Sequence, residues 1–203
     1  MADIAVLGAG SWALGISILL HDNGHKVTIW SALPEEIELL KEKRENPKYL
    51  PGVILPEQID LTAELSSAVK DRDCIVLAVA SKFTRQTAHR LNGLIPDGQV
   101  LVNVAKGIES GSLLTLSEII KEELPTAKVC VLSGPSHAEE VARRMPTLVT
   151  VASDDQETAE HLQNIFASHL FPVYSRGTNV LSATACFRSC PHCIPKPRPR
   201  FGL

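Results

Sequence analysis

The sequence predicts an α/β protein with a doubly wound, mostly parallel sheet, and three observations predict it. Short apolar runs alternate with longer amphipathic ones from residue 3 to about residue 175. The interior runs are nearly continuous in Val, Ile, Leu and Ala, as strands covered on both faces require. Two glycines, Gly8 and Gly10, interrupt the chain between the first apolar run and the first helical stretch.

Taken in order, the strand candidates are residues 4–7, 26–30, 74–79, 100–105, 128–132, 148–152 and 172–174. Helix candidates with apolar residues at three- and four-residue spacing include 35–43, 114–123 and 157–166. A helix beginning near Ser11 ends at Gly24, which can adopt the left-handed conformation of a helix stop. The stretch "ENPKYLPG" at 45–52 carries two prolines and a glycine, so it cannot continue the helix before it and reads as a loop. Pro135 fits a helix start and Ser136 can cap one, which predicts a helix N-terminus in "SGPSHAEE" at 133–140.

Composition bounds the function classes. With 203 residues, 44% hydrophobic and 21% charged, the chain can bury one sizeable core. No apolar stretch reaches the roughly 20 residues of a membrane helix, and no charged and apolar leader precedes the first strand, so the expected compartment is the cytoplasm. Five cysteines are an odd number, and Cys74 and Cys130 sit inside apolar runs where a thiol behaves as a small hydrophobe; no disulfide framework is expected. The net charge of −3 conceals an asymmetry: no Asp or Glu follows Glu160, whereas Arg176, Arg188, Lys196, Arg198 and Arg200 do.

Gly8, Gly10 and Ala13 occupy the three positions of the G-x-G-x-x-G/A dinucleotide-binding fingerprint, between a strand and a helix. Gly8 permits the tight turn, Gly10 lets the backbone approach a pyrophosphate, and Ala13 lets the helix pack closely on the strand. The helix then offers its unsatisfied N–H groups to the phosphates. A glycine turn of this kind also serves packing alone; the strand before it and the helix after it favour dinucleotide binding. The acidic residue expected at the end of the second strand to hold a ribose 2′-hydroxyl is replaced by Trp30, Ser31 and Ala32, with no Arg for a 2′-phosphate, so NAD and NADP both remain open.

Four motifs in order, "GAGSW" at 8–12, "NPKYLPG" at 46–52, "AKGIE" at 105–109 and "LSGPSHAEEVA" at 132–142, together resemble the bacterial NAD(P)-dependent glycerol-3-phosphate dehydrogenases. The resemblance covers roughly residues 1–180. It implies the Rossmann-type cofactor domain of a two-domain enzyme whose second domain is helical, and which interconverts sn-glycerol 3-phosphate and dihydroxyacetone phosphate by hydride transfer for phospholipid synthesis. It makes Ser11, Trp12 and Ala138 cofactor contacts, places Gly134 and Ser136 near the substrate, and has Lys106 reach both. Read without the resemblance, Lys106 is a solvated cation at a strand end. Two residues depart from the family pattern. His137 stands where an aromatic residue is common, as a candidate titrating group or a tolerated surface substitution, and Ala32 stands where Arg is frequent.

The largest departure lies at 181–203, a basic tail rich in Cys and Pro that reads as a disordered extension of a truncated or frame-shifted product. Counting forward, the family's proton-transferring lysine falls near position 190, which is Cys190, so no catalytic residue is assigned and weak or absent turnover is expected. "CPHC" at 190–193 has redox spacing, but Pro195, Pro197 and Pro199 forbid the helix that would lower a thiol pKa, and Cys186, Cys190, His192 and Cys193 make a poor zinc set; no metal is expected. The expected partner is a small-molecule substrate, with no nucleic acid or membrane and with homo-oligomerisation left open. The alternative is a non-catalytic dinucleotide-binding protein whose basic tail contacts an anionic partner.

Overall fold

A computed structural model of the protein describes residues 1–177. The tail at 181–203, with Cys190 and its neighbours, lies outside the described residues. Among the described residues, eight strands form one sheet: β1 (Asp3–Leu7), β2 (Lys26–Trp30), β3 (Asp60–Thr62), β4 (Cys74–Leu77), β5 (Val100–Asn103), β6 (Lys128–Ser133), β7 (Val149–Ser153) and β8 (Val173–Gly177). Their order is β3-β2-β1-β4-β5-β6-β7-β8, and every pairing is parallel except β6 with β7. The expected doubly wound, mostly parallel sheet is therefore present.

Side chains alternate across the sheet and sort the core into two layers. Ile4, Val6, Val76 and Val102 join the layer under α1 (Ser11–Asp22) and α7 (Gln156–Phe166). Ala5, Leu7, Ile75, Leu77 and Leu101 join the opposite layer, under α3 (Leu65–Val69), α4 (Thr84–Leu91) and α5 (Leu116–Glu123). Each fully buried Ile or Leu contributes about 1.5–3 kcal/mol by leaving water. Helix α1 is buried along Ala13 to Leu20 because α6 (Ala138–Ala142) and α7 cover its outer side.

Local chemistry sets the boundaries. Helix α1 ends as expected at Gly24 (φ +84°): the Gly24 N–H donates to His21 O at 2.9 Å and the His25 N–H to Leu20 O at 3.1 Å, a Schellman pair. Thr115 and Glu118 form a reciprocal capping box at the start of α5. Helix α2 (Pro34–Lys43) starts with proline at its first position. In the 45–52 loop, the buried Asn46 side chain accepts from the N–H groups of Lys48 and Tyr49 at 3.2 Å each.

Several expectations are corrected. The strands expected at 74–79 and 100–105 stop at Leu77 and Asn103. Asn103 ends its strand by folding back on the chain, accepting from the Ala105 N–H at 3.2 Å and donating to Ala105 O at 3.1 Å. The helix cap expected at Ser136 falls one residue later, on His137, and the helix runs from Ala138. Ser136 is buried and its hydroxyl donates back to Gly134 O at 3.4 Å, so it caps nothing. The three-residue β3 and five-residue α3 are too short to show a period in sequence.

Candidate functional site

The sheet order reverses between β1 and β4, and a crevice opens there outside the carboxyl ends of the strands. Its walls come from the segments following β1, β4, β5 and β6, with Tyr49 added from the 45–52 loop, and they enclose a cleft of about 610 Å³. Gly10, Ser11, Trp12, Lys106, Ser136 and Ala138 all line it. Of the remaining residues expected at the site, Gly8, Ala13 and Gly134 do not line the cleft, and Gly8 and Ala13 are buried.

Each glycine has a different physical job. Gly8 has φ +132°, and a Cβ there would lie 2.7 Å from Ala78 O, so the turn between β1 and α1 tolerates no side chain. Its N–H donates to Trp30 O at 2.7 Å, which fastens the turn to the end of β2. Gly10 is the N-cap of α1 with ordinary extended dihedrals, and a Cβ on it would meet nothing within 4 Å. Its bare backbone therefore leaves the helix terminus open to the cleft. No side chain caps α1 and no acidic residue lies in its first turn, so nothing within the helix neutralises its positive end at the cleft, where the one lining carboxylate among the described residues is Glu139 of α6.

Across the cleft, the Lys106 ammonium donates to Gly134 O at 3.1 Å and to Ser136 O at 3.2 Å. Two of its three donors are thus engaged, and the cation is held at the mouth rather than swinging in solvent. Gly134 makes this possible by close approach: a Cβ there would sit 2.6 Å from Leu148 O and 2.9 Å from Val149 Cα. The loop carrying Lys106 is anchored three residues further on, where Arg85 makes a two-pronged contact with Glu109 at 2.8 Å per prong. Arg85 also reaches Glu122 and Glu123 on α5, at 2.9 Å each. Hydrogen bonding to Arg85, then to Ser112, holds the Glu109 carboxyl down at about 2.

The residues present fit an anionic dinucleotide. The open N-terminus of α1 and the tethered Lys106 supply positive potential from two sides. Trp12 lines the cleft, and its Nε1 is buried with no hydrogen-bond partner among the described residues. His137 is exposed at the rim. Sequence reasoning did not single out Tyr49 or the 78–81 segment, which line the cleft. The signal for the 78–81 segment was the early strand end at Leu77, which an unbroken apolar run conceals. Outside the cleft lining, just past β2, Glu36 Oε2 accepts a 2.6 Å hydrogen bond from Ser31 Oγ.

With this geometry, residues 3–159 match the family described as NAD-dependent glycerol-3-phosphate dehydrogenase N-terminus. The chain belongs to this family. A glycerol-3-phosphate dehydrogenase of Agathobacter rectalis is 46% identical over 175 residues, covering 86% of this chain and 52% of the relative. One from Fusobacterium nucleatum is 47% identical over 177 residues, covering 86% and 53%. The chain thus spans about half the length of the curated relatives it matches. Among solved structures, glycerol-3-phosphate dehydrogenase from Coxiella burnetii superposes with a TM-score of 0.81 at 30% identity, over 86% of this chain and 54% of that one. The Saccharomyces cerevisiae enzyme gives 0.75 at 27% identity, over 86% and 56%. A GDP-mannose dehydrogenase from Pseudomonas aeruginosa, at 14% identity and a TM-score of 0.70, shares the fold alone. The resemblance carried by the four sequence motifs is borne out.

Proposed function

We propose that residues 1–177 bind NAD(H) or NADP(H) in the 610 Å³ cleft and form the cofactor half of a cytoplasmic glycerol-3-phosphate dehydrogenase. The reaction would interconvert sn-glycerol 3-phosphate and dihydroxyacetone phosphate. The observation that carries this reading is the pairing of a bare helix terminus at Gly10 with the Lys106 ammonium across the cleft, in a chain of this family. When bound, the nicotinamide supplies the hydride acceptor or donor. The chain's own residues bind and orient: the α1 N–H groups beyond Gly10 and Ser11 receive the pyrophosphate, and Trp12 and Ala138 flank the dinucleotide. Lys106 presents its remaining donor to anionic oxygen of cofactor or substrate. Gly134 and Ser136 hold Lys106 in place through their carbonyls and form the substrate side of the cleft.

Cys190 stands where the family's lysine is expected by count, so weak turnover by this chain is part of the proposal. The test is calorimetric titration of the purified chain with NADH and NADPH, followed by oxidation of either at high protein concentration with dihydroxyacetone phosphate. Saturable binding with little substrate-dependent oxidation is the expected result. Absence of binding to either dinucleotide would overturn the reading, and rapid turnover would overturn the part resting on Cys190.

A further inference from the structure

The end of β2 is where a doubly wound fold decides between a ribose 2′-hydroxyl and a 2′-phosphate. Trp30 closes that strand, and its carbonyl accepts the Gly8 N–H at 2.7 Å, so the next residue, Ser31, stands directly beside the glycine turn. Ser31 is buried and carries no charge, yet its hydroxyl donates to Glu36 Oε2 at 2.6 Å while accepting from the Leu33 N–H at 3.2 Å. The first turn of α2 thus folds a half-buried carboxylate back onto the strand end. A carboxylate absent from the strand in sequence is delivered there by the helix.

We infer that Glu36 is the specificity-determining residue of the dinucleotide site, selecting NAD(H) over NADP(H) by accepting from ribose hydroxyls and repelling a 2′-phosphate. The inference rests on the reading of the cleft as a dinucleotide site. The charge of the surrounding segment agrees with it. Residues 31–40 contain Glu35, Glu36 and Glu38 and no Lys or Arg. Arg90, a cation near this strand end, stands over the Trp30 ring at 5.1 Å, on the α4 side of the sheet, whereas α2 packs into the layer of α1 through Leu40. A purely structural role would leave Glu36 as an acid in the first turn of α2 and a partner for Ser31, affecting stability alone.

The two roles separate in Glu36→Gln, which keeps the size and an acceptor for Ser31 and removes the charge. Calorimetric titration of the full 203-residue chain should show NADH bound about tenfold more tightly than NADPH, and E36Q should shift that ratio about tenfold toward NADPH, mainly through NADPH. Raising the ionic strength should narrow the ratio in the unsubstituted chain, a second readout that needs no variant. An unchanged ratio in E36Q, a salt-independent ratio, or an unsubstituted chain that prefers NADPH overturns the assignment while leaving the cleft a dinucleotide site. Failure to bind either cofactor overturns the functional reading and this assignment together.

Discussion

The Lys106 ammonium donates to the main-chain oxygen of Ser136 at 3.2 Å and so ties the segment after β5 to the one leading into α6. Both segments line the cleft, and the cation is exposed, so its hydrogen bonds are worth little to the fold and more to an anion arriving there. Lys106→Met should weaken dinucleotide binding by about 1.5–3 kcal/mol, roughly tenfold or more, because a charge-assisted bond is lost. Thermal unfolding should change less than binding, since the exposed ammonium exchanges hydrogen bonds with water for those it makes to the two carbonyl groups. Titration and a melting curve on the same preparation check both statements.

Gly8 and Gly10 should respond to substitution in opposite ways. Gly8→Ala places a Cβ 2.7 Å from Ala78 O at a φ of +132°, and it should cost about 1–3 kcal/mol of stability or more. Gly10→Asp meets open space at an N-cap position, where Asp is a better cap than Gly by a few tenths of a kcal/mol. The carboxylate would also neutralise the helix end and meet the pyrophosphate. The expected outcome is a chain as stable as the original that has lost its dinucleotide, read by urea unfolding alongside titration.

Gly134 tests the scaffold behind the site. Gly134→Ala drives a methyl group into Leu148 O and Val149 Cα, both backbone, at the antiparallel junction of β6 and β7. Destabilisation of about 1–3 kcal/mol is expected, together with looser binding, because the Gly134 carbonyl helps hold Lys106. A Gly134→Ala chain with unchanged melting temperature would contradict the close approach.

The Arg85 cluster predicts acid sensitivity with a definite sign. Arg85 holds Glu109 down at about 2 from an ordinary 4.5, and hydrogen bonds from Arg85 and then His89 lower Glu123. Depressed carboxyl groups contribute stability that is fully present above the unfolded pKa and disappears as pH falls through the folded value. The stability difference between the unsubstituted chain and Arg85→Met should therefore be constant near neutral pH, shrink below about pH 4.5 and vanish below about pH 2. Denaturant unfolding across that range measures it.

Buried thiols make a further prediction. Burial pushes the Cys130 thiol up to about 11, and burial, then Cys130 and Asp73, raises Cys74 further. Neither forms a disulfide. At neutral pH both should resist alkylation in the native chain and react only through local opening, as peptide mapping after timed exposure to a thiol reagent would show.

Much of the site was legible because its elements are local. The glycine turn, the strand before it, the helix after it and the Gly24 stop depend on residues within a few positions of one another, and the structure reproduces each. Boundaries were less legible where the signal was not hydrophobic. Val79, Val104 and Ala105 continue apolar runs, yet a side-chain turn at Asn103 and the proximity of the cleft take them out of the sheet. Ser136 illustrates the reverse error: a good capping residue in isolation, it is buried, and the helix begins beyond it.

By itself, the sequence determined the strand and helix periods, the fingerprint at Gly8, Gly10 and Ala13, and the family motifs, since each is written in contiguous residues. Only the tertiary structure decided which strands are neighbours, and hence that the ends of β1, β4, β5 and β6 converge on one cleft. It likewise decided that Lys106 is held by two carbonyl groups about thirty residues away and that Glu36 folds back onto Ser31. The physical reason is that period fixes which face a side chain takes, whereas strand order and backbone approach fix what that side chain meets.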